Sequence, residues 1–382
     1  MSFPDIRVLG TGAFTPYGRG ARTLFQGVLS GRDAFSDIER FPICGCPYTR
    51  GGEIKELNGP QPPQPEALIL PAVREALAEA GIRAPGNCAL VLSTNFGDAN
   101  ARLHAFGKGP GSEAGFHGVT CRCADRLAIG PLRITTSLSC SSGLSAMAAA
   151  ADLLLGREAE TVVACGYDLI TPLAWSGLSI LRTMTPDRVR PFSPDRTGTL
   201  FTEGAGAAVL STVRAESAVR FRGAGLSNNA FHMTAPDKEG AGYARAVVSA
   251  LRDAETGPSE IDHINLHGTA TALNDPAEAA ALKTVFGERI SEIPATSLKS
   301  SLGHAMGASG ILEAIVTILS IRENRIPPTL NTVKTATGCG INLVTGAERR
   351  AEIRCALTLS SGIGGNNAAA VFSGPETAER TE

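Results

Sequence analysis

Short runs of almost entirely apolar residues recur along this chain, each bounded by glycine, serine or other polar residues. They are CALVLST at 88–94, TVVACG at 161–166, AAVLST at 207–212, IDHINLH at 261–267 and CALTLSS at 355–361. A strand with one wet face alternates apolar and polar residues, whereas a strand covered on both faces stays apolar throughout. The pattern therefore predicts an α/β fold, in which buried strands have helices above and below them.

The chain also repeats itself with a long period. Residues 293–319, IPATSLKSSLGHAMGASGILEAIVTIL, resemble residues 134–155, ITTSLSCSSGLSAMAAAADLLL, and the shared Ser-Leu pair is displaced by 160 residues. In each copy a β-prone run leads through a Ser/Gly-rich turn into an apolar helix. Two further matched pairs occur in the same order: 72–100 with 246–275, and 8–16 with 221–229. Three pairs of similar segments that occur in the same order indicate an ancient duplication.

The duplication predicts two α/β halves, residues 1–212 and 213–374, followed by a polar tail at 375–382. Each half alternates strands with helices, so we expect two sheets and their helices to pack in layers. Cys140 falls in the first half, and His267 and His304 fall in the second.

Composition and charge narrow the class of protein. The chain has 382 residues, 43% of them hydrophobic, and a formal net charge of −2, which does not favour nucleic-acid binding. The longest apolar stretch, 144–155, is shorter than the roughly 20 residues of a membrane-spanning helix, so no span is predicted. The start of the sequence lacks the pattern of a secretion signal. Nine scattered cysteines indicate reduced thiols and a cytoplasmic protein.

Two close cysteine pairs raise the question of a metal site. Cys44 and Cys46 are separated by one residue, as are Cys121 and Cys123. Structural zinc sites normally have two to four residues between paired ligands. We therefore predict no metal site.

Cys140 is the candidate nucleophile. It lies in SLSCSSG at 137–143, where a β-prone run ends and an alanine-rich helix begins. A sulfur at a helix N-terminus is close to free N–H groups, which stabilise a thiolate. The alternative is a buried and unreactive cysteine, the usual state of this residue.

His267 opens a second polar loop, NLHGTATALND at 265–275, at the end of a predicted strand. Loops at strand ends are where α/β folds bind their ligands. Thr269 and Thr271 are spaced so that both hydroxyls can reach a polar ligand in that crevice. The alternative is a histidine that only satisfies hydrogen bonds of its own loop.

Lys299 and His304 lie in the stretch TSLKSSLGHAMGASG, 296–310, which the repeat aligns with the turn of Cys140. The two halves would then bring both turns to one crevice. For Lys299 the alternative is an ordinary surface charge.

Together these motifs resemble the β-ketoacyl synthases, the condensing enzymes of fatty-acid and polyketide assembly within the thiolase-fold superfamily. The resemblance runs along nearly the whole chain and is carried by SLSCSSG, RPFSPDRTGTLFTEGAGA, FHMTAPD, NLHGTATALND, SLKSSLGHAMGASG and GIGGNNAAAVF. It implies a thiolase-like fold in an αβαβα arrangement. It also implies an acyltransferase that condenses an acyl group with a malonyl thioester as carbon dioxide leaves.

The resemblance assigns roles to individual residues. It implies that Cys140 takes the acyl chain, that His267 and His304 are the other catalytic residues, and that Lys299 supports them. Thr269 and Thr271 would contact the phosphopantetheine arm of the substrate. The backbone N–H groups of Cys140 and Ile363 would form the oxyanion hole. The set of two histidines is typical of elongating synthases.

The resemblance also implies partners. The phosphopantetheine arm arrives on an acyl carrier protein, so no metal or other cofactor is expected. We expect a homodimer, or a heterodimer with a related ketosynthase-like subunit. Acyl carrier proteins are acidic, so basic residues should border the entrance. The candidates for this rim are Arg102, Lys108, Arg122 and Arg126.

Two departures and one alternative accompany the resemblance. Ile363 stands where the family loop GFGG has a phenylalanine, which suggests a different acyl pocket. The segment 95–140 is shorter than in typical elongating synthases, which leaves the chain-length preference open. The alternative function is a non-elongating partner subunit resembling a chain-length factor, although such subunits lack the cysteine. A dinucleotide site is excluded, because Thr15 replaces the third glycine of its motif.

Overall fold

The computed structural model describes residues 5–43, 45–105, 115–213, 215 and 218–375. Its helices are α1 (Ala21–Leu29), α2 (Glu66–Glu79), α3 (Ala99–Ala105), α4 (Phe116–Leu127), α5 (Ser142–Leu155), α6 (Pro172–Ile180), α7 (Ala241–Asp253), α8 (Asn274–Phe286) and α9 (Ser309–Glu323). Its strands are β1 (Ile6–Thr15), β2 (Gly18–Arg19), β3 (Ser36–Asp37), β4 (Arg50–Gly51), β5 (Ala89–Ser93), β6 (Arg133–Thr136), β7 (Thr161–Asp168), β8 (Gly204–Ser211), β9 (Arg220–Asn228), β10 (His263–Asn265), β11 (Pro294–Thr296), β12 (Arg325–Ile326), β13 (Asn342–Leu343), β14 (Arg349–Arg350), β15 (Cys355–Gly362) and β16 (Asn366–Ser373).

The apolar runs of the sequence are the buried strands β5, β7, β8, β10 and β15, as predicted. Side chains of a strand alternate between its two faces, and here both faces are covered. In β5, Val91 points into one apolar cluster while its neighbours Leu90 and Leu92 point into another. Burial on both faces explains why these runs contain so few polar residues.

The strand order reproduces the duplication. In the first half the order across the sheet is β6-β5-β7-β8-β1, and in the second it is β11-β10-β15-β16-β9, with β13 added at the edge. In each half the first strand along the chain is paired with the last, and the middle strands follow in the same relative order. The two sheets are joined where β1 pairs with β9, through Ile6 with Phe221 and Arg7 with Arg220. The predicted fold of two related α/β halves is confirmed, while the boundary at residue 212 stays a prediction.

The layers follow from which helices cover each sheet. Helices α5 and α9 pack between the sheets, and their cluster contains Met147, Ile315 and Ile318. Helices α2 and α4 cover the outer face of the first sheet, and α7 and α8 cover that of the second. The order of layers is therefore helix, sheet, helix, sheet, helix, which is the predicted αβαβα arrangement.

The two central helices approach each other closely at their N-terminal ends. A Cβ added at Gly143 in α5 would lie 2.4 Å from the backbone nitrogen of Ile311 in α9, and one at Gly310 would lie 2.8 Å from that of Leu144. Only glycine permits such an approach at either position. Because Cys140 and His304 precede α5 and α9, this crossing brings the two predicted turns together. In the part of the chain described, no helix has the length and apolar character needed to cross a membrane.

Candidate active site

Cys140 lies two residues before α5, in a turn that is held from both halves. Ser139 has a φ of +53°, a conformation that non-glycine residues rarely adopt. The carbonyl of Cys140 accepts a 2.8 Å hydrogen bond from Oγ of Ser360 in β15. A Cβ at Gly362 would lie 2.8 Å from the nitrogen of Cys140, so the backbone of β15 packs directly against the turn. The turn of Cys140, the candidate nucleophile in the first half, is thus held by a strand of the second half.

Burial determines the acidity of the Cys140 thiol. It raises the pKa to about 12, while the charge of Lys299 and a backbone hydrogen bond from Ile363 lower it. In the free site desolvation outweighs the local donors, and stabilisation of a thiolate by the helix N-terminus stays a prediction. The backbone contact from Ile363 places that N–H beside the sulfur, where the oxyanion hole is predicted.

His267 follows β10 and is 3% exposed. Its backbone N–H donates to Oε1 of Glu278 at 2.7 Å, and the N–H of Gly268 donates to Oε2 at 2.8 Å. Glu278 belongs to α8, so one buried carboxylate fixes the loop that carries the histidine. The imidazole lies beside Lys299, with 3.5 Å between Nδ1 and Nζ. The alternative of a histidine bonded only within its own loop is therefore wrong.

His304 lies in the turn between β11 and α9 and is 4% exposed. Its Nδ1 accepts a 3.0 Å hydrogen bond from the backbone N–H of Met306, and Oγ of Ser309 lies 2.9 Å from the same nitrogen. With Nδ1 accepting, a neutral imidazole carries its proton on Nε2. The rings of His304 and His267 are perpendicular, and their centroids are 5.4 Å apart.

Lys299 is fully buried and forms an ion pair with Glu313 of α9. The interpretation of Lys299 as a surface charge is therefore wrong. Burial, and then the Lys299 charge, lower the pKa of both His267 and His304 well below 6.5. Burial also raises the pKa of Glu313 to about 7 against the attraction of Lys299. Both histidines are thus neutral donors at neutral pH.

One cavity of about 340 Å³ connects these groups, and Cys140, His267 and His304 all line it. Thr269 and Thr271 line it as well, with their hydroxyl oxygens 2.9 Å apart. Ile363, 37% exposed, borders the cavity beside Gly362. Residues predicted from four separate sequence motifs therefore meet at one place.

The basic residues around the cavity differ from those expected. Arg122 forms ion pairs with Glu66 and Asp98, and the guanidinium of Arg102 stacks over the ring of Phe116. Neither these two nor Arg126 lines the cavity, whereas Arg182 and Arg196 do. The candidate Lys108 lies outside the described residues.

Sequence reasoning missed the buried carboxylates that hold the site, Glu278, Glu313 and Asp168. Glu278 and Glu313 lie inside apolar helices, and Asp168 ends β7. A buried acidic residue in an otherwise apolar segment is the signal that identifies such groups, because an unpaired charge there is too costly. Among the described residues, no cluster of three or more histidine, cysteine or acidic side chains is arranged to hold a metal. Cys44 lies outside the described residues.

Comparisons with known proteins show which family this chain matches. Residues 4–215 match the family model for the β-ketoacyl synthase N-terminal domain, and residues 219–333 match that for the C-terminal domain. A Synechocystis protein named 3-oxoacyl-(acyl-carrier-protein) synthase 2 is 30% identical, over 96% of this chain and 97% of its own. A protein of the same name from Coxiella burnetii is 28% identical over 96% and 97% of the two chains.

Solved structures give the same result for the fold. The ishigamide ketosynthase/chain length factor is 27% identical with a TM-score of 0.86, over 98% of this chain and 100% of that one. A β-ketoacyl synthase from Burkholderia phymatum has a TM-score of 0.86 at 24% identity, over 98% and 100% of the two chains. The predicted thiolase-like fold is confirmed.

Proposed function

Because this chain belongs to the β-ketoacyl synthase family, we propose that it condenses an acyl thioester with malonyl–acyl carrier protein, releasing carbon dioxide. It would act as an elongating synthase in fatty-acid or polyketide-type biosynthesis. The observation that carries this proposal is that Cys140, His267 and His304, from three loops of two duplicated halves, line one cavity. As a transferase, the protein needs no group beyond these residues and the arm of its substrate.

In the first step Cys140 attacks the carbonyl carbon of an acyl thioester. The backbone N–H groups of Cys140 and Ile363 bind the oxygen as it becomes negative; removing one such donor typically costs about 10²–10³ in rate. The arm sulfur then leaves and takes up the proton that the Cys140 thiol has lost. A thiol with a raised pKa holds that proton until the substrate is in place.

In the second step the malonyl thioester occupies the cavity. Nε2–H of His267 and of His304 would donate to its thioester oxygen, so that the carbanion formed as carbon dioxide leaves is stabilised as an enolate. The enolate carbon attacks the acyl group on Cys140 and expels the sulfur as a thiolate, which takes a proton from solvent, and the product is a β-ketoacyl thioester. Neutral imidazoles suit this role because each has one fixed donor.

The delivery of substrate accounts for the remaining polar residues. Thr269 and Thr271 would bind the phosphopantetheine arm of the carrier protein within the cavity. Both curated relatives are named as synthases acting on acyl carrier protein. We further propose that the protein works as a homodimer or as a heterodimer with a related ketosynthase-like subunit.

The Cys140→Ala variant tests the function. We expect intact mass to show the acyl group of hexanoyl–acyl carrier protein on the wild type and on a Cys165→Ala control. Cys165 is buried in β7 away from the cavity. The Cys140→Ala variant should take up no acyl group and form no β-ketoacyl product. Full condensation by this variant would exclude Cys140 as the nucleophile, whereas a wild type that neither loads nor condenses would favour the non-elongating partner subunit.

Ile363 offers a test of substrate choice. A phenylalanine at this position would fill more of the cavity mouth than the branched aliphatic side chain does. We expect Ile363→Phe to shift the acyl chain lengths loaded from a mixture of C4 to C12 acyl carrier proteins. An unchanged profile would show that Ile363 does not set the pocket.

A further inference from the structure

Asp168 is a fully buried carboxylate that the proposed chemistry does not use. Four donors converge on it. Oδ1 accepts from Oγ1 of Thr94 at 2.7 Å and from the N–H of Phe96 at 2.9 Å. Oδ2 accepts from the N–H of Asn95 at 2.9 Å and from the N–H of Gly307 at 2.6 Å. Three of these donors belong to the first half, whereas Gly307 belongs to the second.

Gly307 lies in the turn that holds His304. Met306, directly before it, has a φ of +52°, which is unfavourable for a side chain of its size. Its N–H is the donor to Nδ1 of His304. A Cβ at Gly307 would lie 2.7 Å from Oδ2 of Asp168 and 2.6 Å from the nitrogen of Asn95, so the turn is pressed against the carboxylate. The Asp168 contact thus holds the Met306 backbone in its unfavourable conformation.

The duplication gives this contact a counterpart. Ser93 of β5 pairs with Thr136 and Asn265 of β10 pairs with Thr296, and each threonine directly precedes the repeated Ser-Leu pair, so Ser93 and Asn265 are equivalent. On their other sides Ser93 pairs with Gly166 of β7 and Asn265 with Thr358 of β15. Counting two residues on from each partner makes Asp168 equivalent to Ser360. Ser360 is the residue that donates to the carbonyl of Cys140. Each half therefore uses the same position to support the reactive turn of the other half.

From this geometry we infer that Asp168 is a positioning residue for His304, acting through Gly307 and Met306 to keep Nε2–H aimed into the cavity. The inference rests on the proposed function, in which His304 serves decarboxylation while Cys140 and the oxyanion donors serve acyl loading. Replacing Asp168 should therefore slow decarboxylation and have little effect on acyl loading. A purely structural anchor would weaken both alike.

The Asp168→Asn variant of the full chain separates these outcomes. An amide N–H₂ accepts no hydrogen bond, so depending on its orientation either the N–H of Phe96 or the N–H groups of Asn95 and Gly307 lose their acceptor. We expect release of carbon dioxide from malonyl–acyl carrier protein to fall by about tenfold to a hundredfold, the cost of a displaced catalytic group. Loading of Cys140 from hexanoyl–acyl carrier protein should not fall by more than about threefold, since its donors are untouched and the lost Asp168 charge only raised the pKa of the thiol. Equal losses in both half-reactions, or none in either, would overturn the inference.

Two further measurements guard against a folding defect. The Glu53→Gln variant is the control. Glu53 is another buried carboxylate, and it accepts the backbone N–H groups of Glu39 and Arg40 but does not line the cavity. This variant should lower the melting temperature and leave both half-reactions unchanged. If Asp168→Asn does not fold, Thr94→Val removes one donor to Asp168 and should still slow decarboxylation selectively. An equal effect of Thr94→Val on loading would again overturn the inference.

The tautomer of His304 provides a readout that does not depend on turnover. ¹⁵N NMR of histidine-labelled protein should show His304 protonated on Nε2 in the wild type and as a tautomer mixture in Asp168→Asn. If the wild type neither loads Cys140 nor releases carbon dioxide, the proposed function fails, and this signal still tests the support of His304. An unchanged tautomer in a folded Asp168→Asn would contradict it.

Discussion

At the scale of residues, the site combines a poorly acidic thiol with two imidazoles that stay neutral. The positions of Cys140, His267 and His304 in loops beside one cavity were predictable, because binding residues are disproportionately found on loops positioned by a rigid scaffold. The acidity of Cys140 was not, because it depends on burial of the thiol in a turn whose backbone contacts Ser360 and Gly362, more than 200 residues away in the sequence. The role of Glu313 as the partner of Lys299 was also not predictable, because Glu313 lies within an apolar helix.

The raised pKa of Cys140 predicts its reactivity with alkylating agents. Only the thiolate reacts, so below a pKa of about 12 its fraction rises about tenfold per pH unit. We expect the iodoacetamide rate, followed by intact mass, to rise steadily from pH 7 to about pH 10. The Cys140→Ser variant corrects for the other thiols. A plateau below about pH 9 would show that local donors outweigh burial.

The Lys299–Glu313 ion pair predicts a pH-dependent stability. In Lys299→Met the Glu313 carboxylate loses its partner, and removing one partner of a buried pair costs about 3–5 kcal/mol. The folded-state pKa of Glu313, already raised, rises further, so protonation relieves the cost at low pH. Stability should therefore fall as pH rises from 5 to 9, as read from urea midpoints. The double variant Lys299→Met/Glu313→Gln should show little of this slope, and an equal slope would exclude Glu313 as its cause.

At the scale of elements, the two copies differ where the chemistry differs. Five residues, 137–141, separate β6 from α5, whereas twelve residues, 297–308, separate β11 from α9. The seven additional residues include the turn around His304. The repeat therefore predicted that the two turns meet, but not that the second forms an extended loop held by Asp168. Sequence similarity is carried by the shared strand and helix, and is lost in the insertion.

The close approach of α5 and α9 predicts that an added methyl group at the crossing is destabilising. In Gly143→Ala the new methyl group would collide with the backbone of Ile311, and overpacking of this kind costs about 1–3 kcal/mol. Because Cys140 and His304 precede these helices, condensation should weaken as well. The matched control is Gly177→Ala in α6, where an added Cβ meets nothing within 4 Å. There we expect unchanged activity and a gain of about 0.5–1 kcal/mol in stability, measured by thermal unfolding.

If Gly143→Ala matched Gly177→Ala in both stability and activity, the close approach of the central helices would not be needed.

At the scale of the whole molecule, the duplication was visible in the sequence, and it determines the layers. What the sequence did not reveal is how much the halves depend on each other. The central cluster draws on α5 of one half and α9 of the other, and the two sheets are joined at β1 and β9. Such contacts form between residues far apart along the chain and leave no local pattern. We propose 1–212 and 213–374 as halves of one folding unit.

Expressing the halves separately tests that proposal. Alone, residues 1–212 would expose the apolar face of α5 that packs on α9. We expect this fragment to aggregate or bind a hydrophobic dye, and co-expression with 213–374 to reduce this, as followed by size-exclusion chromatography. A well-folded monomeric fragment 1–212 would show instead that the boundary separates independent domains.

The junction of the two sheets has a consequence for the connectivity of the chain. Arg220 of β9 pairs with Arg7 on one side and with Ser373 on the other, so the first and last strands flank the same residue, about 10 Å apart. A short linker can bridge that gap, and the chain can be reopened between the halves near residue 213. Such a circular permutant would read second half first, yet every residue around the cavity would keep its neighbours. The arrangement of the shared site thus does not depend on which of the two halves comes first in the chain.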